Sequence, residues 1–342
     1  MSGSVRADDA VRTDGAVRTD GSRAVPGAGG RGADVLVGQR ARHPLTAVIG
    51  IPEAASRAFG RRTLKLSLER ASAFMGGRAG EGEALLLDGE TTELGMRLRL
   101  PLGRCAAVEG RAAALAHDGG VFDAPIESWH GFFGLPNGGR EDAPRDRLAY
   151  VHEAADGSRA ALLSDVSGVA DAQLAVAWAP GCATRDPDSR FVLRAGVELP
   201  LGDESRWLGN GAPDAWADVQ GPVLALGTRW PTRLAASLGL VAPGTGDTLP
   251  APEPLAAYGA LGARVALGSA LGGLWALGAT LDWHTALHDS SLVELGRTAA
   301  QLGVGLEWRR AGLGTVGVSI QEDVAVDTSS DIGLRLTLDL EP

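Results

Sequence analysis

The stretch DIGLRLTLDL near the end of the chain alternates with a period of two: Ile332, Leu334, Leu336, Leu338 and Leu340 are apolar, and Asp331, Gly333, Arg335, Thr337 and Asp339 lie between them. Successive side chains of a strand point to opposite faces, so this reads as a strand with one apolar and one polar side. From Arg61 onward the pattern keeps returning. It is found at Leu64/Leu66/Leu68, Leu94/Met96/Leu98/Leu100, Leu174/Val176/Trp178, Leu193/Ala195/Val197/Leu199 and Leu234/Ala236/Leu238/Leu240. Further on it recurs at Trp275/Leu277/Ala279/Leu281/Trp283, Leu302/Val304/Leu306/Trp308 and Val316/Val318/Ile320. With weaker cases near 104–117, 217–229 and 256–268, the count is about twelve strands of roughly 9–13 residues, the length a tilted membrane strand requires.

Connections sharpen the reading. PLGR, WPT, GSALGG and RRAGLG are short, and they alternate with long links such as PLGDESRWLGNGAPDAWADVQ, APGTGDTLPAPEP and HTALHDSSLVELG. Short turns at one end and long loops at the other are how transmembrane barrels are laid out. The expected fold is therefore all-β: an antiparallel transmembrane β-barrel of about twelve strands, with short periplasmic turns and one long helical and hairpin loop insert. A soluble all-β protein with its apolar face turned inward also satisfies the alternation alone. Such a barrel is too wide for side chains this small to fill.

Aromatic placement fits lipid. Trp178, Trp230 and Trp308 end strands before short turns, Phe191 and Trp275 begin strands after them, and all five share the apolar parity, as a membrane girdle would. Trp283 and Phe74 would mark the opposite rim. Composition excludes other classes. The formal charge is −10 with no basic stripe, so nucleic acid has no electrostatic footprint here. No apolar run is long enough for a membrane-spanning helix. Residues 1–34 are hydrophilic, repeat AVRTDG and show no export signal; they read as a disordered segment, followed by a lead-in over 35–60 and a barrel over 61–342 with its insert at 118–167.

The stretch IESWHGFFGLPNGGREDAPRDRL, together with HPLTAVIGIPEA, LDGET, VELPLGD, GDTLP and EDVAVDTSSDI, resembles a family of Gram-negative outer-membrane proteins classed as a domain of unknown function. The resemblance covers most of the chain. It implies a barrel in the outer membrane and brings no activity with it. The chain ends LDLEP, where the family's barrels typically close on an aromatic residue.

If the apolar residues face lipid, the opposite parity lines the lumen. That face holds Lys65, Glu69, Arg97, Arg99, Glu109, Arg194 and Glu198, then Arg264, Asp282, Gln301, Glu307, Asp323, Arg335 and Asp339, with His284 at the rim. Both signs are present, which allows pairing across strands or a narrowed pore. Asp282, His284, His288 and Ser290, with Glu322 and Asp323, are the nearest approach to a catalytic constellation, yet no nucleophile is marked out. The six histidines show no metal-ligand spacing, and neither a metal nor a cofactor is expected.

The long insert has the most distinctive content. Asp123 and Pro125 suit a helix start, Gly134 and Pro136 a stop, and Ile126, Trp129, Phe132 and Phe133 would share a face. A hairpin around Asp156-Gly157 follows. The expectation is an insert folded over or into the barrel mouth as a constriction or lid, Trp129, Phe132 and Phe133 on the inner wall, and Arg140, Arg145 and Arg147 paired with carboxylates such as Asp282 or Asp323; an ordered surface cap without a gating role is the alternative. Cys105 and Cys182 fall at one barrel end on adjacent strands, which allows a disulfide; two unrelated thiols fit the sequence equally. The reading that follows is an outer-membrane barrel embedded in lipid, acting as a passive or gated conduit for a small solute. A plugged structural or adhesion barrel, and less so an outer-membrane hydrolase, are the alternatives.

Overall fold

The computed structural model describes residues 41–45, 49–54, 59–80, 82–134, 137–182, 191–227, 232–246, 251–325 and 330–340. Twelve strands close into one antiparallel barrel. In chain order they begin with β1 (Thr63–Arg78), β2 (Ala84–Leu102) and β3 (Ala106–Asp118). The intervening insert supplies α1 (Asp123–Phe133) and three short strands, β4 (Ala149–Glu153), β5 (Arg159–Leu162) and β6 (Val166–Val169). The barrel continues with β7 (Ala172–Trp178), β8 (Val192–Leu199) and β9 (Asp214–Gln220); β10 (Leu224–Leu226) is a short pairing on the next strand. It closes with β11 (Thr232–Ala242), β12 (Ala256–Ala270), β13 (Gly273–His284), β14 (Ala299–Arg310), β15 (Gly314–Ala325) and β16 (Ile332–Leu340). Each of the twelve pairs with its barrel neighbours, and β16 returns to β1 through nine residue pairs from Leu64↔Leu340 to Ser72↔Ile332.

The alternation decides which way each strand faces. Leu94, Met96, Leu98 and Leu100 of β2 stand exposed on the outer wall, as do Leu174 and Val176, Leu238 and Leu240, Leu302 and Val304, and Leu334 and Leu336 on other strands. Soluble monomers rarely expose an apolar belt of this kind; it is the surface a barrel presents to hydrocarbon. No helix among the described residues is long and apolar enough to cross a membrane, which says nothing of strands.

One end of the barrel carries the connections 103–105, 271–272 and 311–313, and the other the long links 119–171, 200–213, 243–255 and 285–298. The link between β1 and β2, Ala79 to Glu83, is short although it lies at the long-loop end. Both strands overrun the barrel there: β2 pairs with β3 over Glu90–Leu102, and its first five residues pair with β4 instead. The strand expected over 217–229 is Asp214–Gln220. Its outward residues, Ala215, Ala217 and Val219, are too small to announce an apolar face, and Trp216 points inward.

Candidate functional site

The lumen is occupied by the chain itself. Residues 41–45 and 49–54, ahead of β1, run inside the barrel, and contacts with eight strands hold them. Ala41 N donates to Gln301 Oε1 at 2.9 Å. The Arg42 Nε lies 2.6 Å from the Glu93 carboxylate, its backbone N–H bonds Glu69, and Ser330 Oγ donates to its carbonyl at 2.7 Å. Gly50 N donates to Asp214 Oδ2 at 2.6 Å, while Ile49 and Ile51 pack with Trp216, Val241, Tyr258 and Leu287. Two glycines permit the close approach. A Cβ on Gly333 would stand 2.5 Å from that of Ala41, and one on Gly50 would meet the Glu198 carboxylate at 2.6 Å.

Glu53 is the most heavily engaged residue of the segment. Arg335 Nη1 lies 2.7 Å from its Oε1 and Arg97 Nη2 3.4 Å from its Oε2. Its backbone is held as well: Arg194 Nη2 donates to the Glu53 carbonyl at 2.8 Å and Arg97 Nη1 to that of Ala54 at 3.1 Å. Below it the Arg99 guanidinium stacks over the Phe59 ring at 4.2 Å.

The same arginines are tied into the wall. Arg335 Nε donates to Glu69, and Arg111 pairs with Glu93. Arg194 donates to Asp218 through Nε at 3.0 Å and reaches Glu109 at 3.3 Å, and Arg99 reaches Glu109 at 3.2 Å. Tyr258 OH donates to Asp218 at 3.1 Å, and Arg264 pairs with Glu307 at 2.8 Å. Buried charges are tolerated only when paired, and parity in the strands delivers the pairs: Glu69, Glu93, Arg97, Arg99, Glu109 and Arg111 all stand at inward positions of β1–β3.

Lys65, Glu69, Arg97, Arg99, Arg194, Glu198, Arg264, Asp282, His284, Glu307, Asp323, Arg335 and Asp339 all take the inward parity of their strands. Sequence reasoning missed Glu93, Arg111 and Asp218, which have the same parity, and Arg42 and Glu53, which precede any strand. Two members of the catalytic constellation turn to other partners. Ser290 Oγ donates to Glu83 at 2.7 Å, and Glu322 points out of the barrel toward His130, at 3.6 Å. Among the described residues no three metal-ligating side chains gather.

The long-loop mouth is closed by an apolar cap. Tyr150, Ala160 and Leu162 of the β4–β5 hairpin, Trp207 of the 200–213 loop and Leu292 and Leu295 of the 285–298 loop bury Leu45 of the internal segment against Leu85 and Leu87. Glu83 ties this cap together, facing His152 Nε2 at 3.1 Å and accepting from Ser290. Burial alone would raise its carboxyl, but those hydrogen bonds reverse the effect and hold it below the ordinary range.

The other half of the insert departs from expectation. Helix α1 lies on the outer wall, so Trp129, Phe132 and Phe133 do not touch the inner wall and form no constriction; they are 40%, 82% and 54% exposed. Only Ile126 and Asp123 of the helix are buried. The reason is electrostatic. At the top of the outward face Glu90 accepts from the backbone N–H groups of Val121 and Phe122, and Arg70 bonds both Glu90 and Asp118, which fixes the start of the helix outside the barrel. The arginines follow suit. Arg140 bonds Asp123 and Asp331, Arg145 pairs with Glu127 and Arg147 with Asp88; none reaches Asp282 or Asp323. Phe74, expected at the rim, lies beneath Arg140 with the guanidinium 4.9 Å from its ring.

At the short-turn end Cys105 and Cys182 are joined in a disulfide, with Cα atoms 5.3 Å apart. Trp178 and Phe191 are exposed there, and Trp275 and Trp308, half-buried, face one another across β13 and β14 with centroids 6.4 Å apart. Trp230 lies outside the described residues.

The barrel is similar to several solved structures. The COG4313 outer membrane channel from Pseudomonas putida F1 shares 14% identity at a TM-score of 0.49, over 85% of this chain and 98% of that one. The β domain of the Bordetella autotransporter BrkA shares 13% at 0.40, over 83% and 99%. A Pseudomonas aeruginosa FadL homologue shares 12% at 0.37, over 90% and 95%. No curated protein matches the sequence. A family model described as protein of unknown function (DUF3187) matches residues 50–341, from the internal segment through the last strand, and the chain belongs to that family.

Proposed function

We propose that the protein is an outer-membrane barrel that conducts a small solute along its axis and is closed at rest by its own internal residues 41–45 and 49–54. The observation that carries this reading is how the segment is held. Its two ends are anchored by Arg42 to Glu69 and Glu93, and by Glu53 to Arg335 and Arg97. Charge pairs in a wide polar lumen can be exchanged for water or for a solute's own charges, whereas a lumen meant only to be filled is served better by apolar packing. Removing the segment from the wall leaves a path lined by arginine and carboxylate side chains.

The apolar cap at the mouth favours a second reading, a sealed barrel whose loops serve the surface. One experiment separates the two. Protein lacking the residues before Phe59, reconstituted in planar bilayers, shows conductance steps if the segment is the closure. A folded, heat-modifiable barrel that stays silent would support the sealed barrel. Fractionation of cells tests the membrane location itself.

A further inference from the structure

We propose that α1 is an interfacial foot that seats the aromatic flank Trp129, Phe132 and Phe133 in the outer leaflet, at the boundary between headgroups and acyl chains. The inference rests on the barrel lying in a membrane and adds a second, helical contact with lipid beyond the strand belt.

The level of the helix comes from strand register. On the outer wall Leu334 of β16 pairs with Ile320 of β15 and with Arg70 of β1, and that row is the last in which the outward face is still aliphatic across the β15–β16 pair. The next outward row up is Ser72, Ile332, Glu322 and Glu90. Glu90 and Glu322 are the two residues on which α1 rests: Glu90 accepts from Val121 and Phe122 at its start, and Glu322 meets His130 in its last turn. Outward rows are two residues apart, so the helix lies about 7 Å above the top of the belt. A helix with its side chains is roughly 10 Å across and reaches that row.

Its orientation follows from its own spacing. Ile126, Asp123 and His130 form the side against the wall. At a helical period of 3.6, Glu127 falls on one flank of that side, Trp129 and Phe133 fall on the other, and Phe132 adjoins them on the face turned away from the wall. The Glu127 flank is turned away from the belt, because Arg145 pairs with Glu127 and the same loop continues to Arg147, which bonds Asp88, one row above Glu90. The aromatic flank is left facing the belt. The three rings pack on one another, Trp129 on Phe133 at 4.4 Å and Phe132 on Phe133 at 4.8 Å, as a ready-made wedge. Exposing Phe132 at 82% and Phe133 at 54% on a short helix is unfavourable in water. Interfacial helices bury such a face at this depth, and aromatic side chains favour it.

The test uses the full chain with its native disulfide and one added thiol. Phe132→Cys, Leu98→Cys in the belt and Asp156→Cys at the hairpin tip are each labelled with a small fluorophore and reconstituted in phosphatidylcholine vesicles. The vesicles carry a nitroxide either just below the headgroup or near the acyl terminus. The expected result is strong quenching of the Phe132 label by the shallow nitroxide, weaker quenching by the deep one, and none of the Asp156 label by either. A Phe132 label as little quenched as that at Asp156, with the Leu98 label quenched, overturns the foot and leaves the barrel standing. Loss of quenching at Leu98 as well overturns both. A Phe132 label shielded from lipid by a second copy, seen as self-transfer between labelled chains, also refutes the proposal.

Discussion

Replacing Glu53 by Gln keeps the shape of the side chain and removes only its charge. Arg335 sits 2.7 Å from one oxygen and Arg97 3.4 Å from the other, so one contact is short and the second is weak. A hydrogen bond to a charged partner is worth about 1.5–3 kcal/mol and a neutral one about 0.5–1.5, and glutamine retains an acceptor for Arg335. The difference is about 1–2 kcal/mol, roughly a tenfold rise in the fraction of molecules with segment 41–54 undocked. In the variant Arg335 keeps its bond to Glu69 and Arg97 its bond to the Ala54 carbonyl, so neither cation is left without an acceptor. Arg335→Ala does orphan charges, since Glu53 and Glu69 both lose a partner, and breaking a buried pair costs about 3–5 kcal/mol. Hydrogen exchange followed by mass spectrometry reads the segment directly through the amides of Ala41, Arg42 and Gly50, which are bonded to the wall. Exchange should accelerate in the order native, Glu53→Gln, Arg335→Ala, with closed times in bilayer recordings shortening in step. Unchanged exchange in both variants, or acceleration in Glu53→Gln alone, would refute the claim that these pairs hold the closure.

Leu45→Ala removes a fully buried side chain from the cap and should destabilise it by about 2–5 kcal/mol, read as faster exchange over β4 and β5. The Glu83 carboxyl is held below its ordinary value of 4.5, so its contribution to the cap is complete above that value and is lost as pH falls through the depressed one; opening of the 285–298 loop, read as observed exchange relative to the intrinsic rate at each pH, should rise on acidification in the native protein and rise less in Glu83→Gln. The Cys105–Cys182 bond spans 77 residues, and chain-entropy reasoning gives it about 4.5 kcal/mol; Cys105→Ser/Cys182→Ser should lower the unfolding temperature and abolish the mobility difference between reduced and oxidised protein on gels.

Two residues apart is a rule that survives any loop, which is why strand existence, facing and the lumen residues Arg97, Arg99, Arg194 and Arg335 were legible before any fold was seen. The occupant of the lumen was not. Residues 41–54 have no period, and their partners are remote, Gln301 lying 260 positions from Ala41; nothing local marks Arg42 or Glu53 as lumen groups. The site of α1 was half legible. Its length and ends follow from Asp123 and Gly134, and its side of the wall was written in β1 and β2, where the lipid parity passes from Leu68 to Arg70 and from Leu94 to Thr92, Glu90 and Asp88. A run of polar residues on the outward face above a leucine belt asks for a cover, and reading the two faces as uniform from end to end concealed that request.

Arg140 has a consequence for how the cylinder is sealed. A barrel has one joint with no turn across it, where the first and last strands meet, and here that joint is the nine-pair ladder between β1 and β16. Arg140 straddles it, bonding Asp331 at the start of β16 while lying over Phe74 of β1 and gripping Asp123 of the helix. The helix and this arginine thus form a buckle over the seam. Parting the wall sideways toward lipid would require the buckle to release before the ladder could unzip, so this seam is fastened from outside as well as by its own hydrogen bonds.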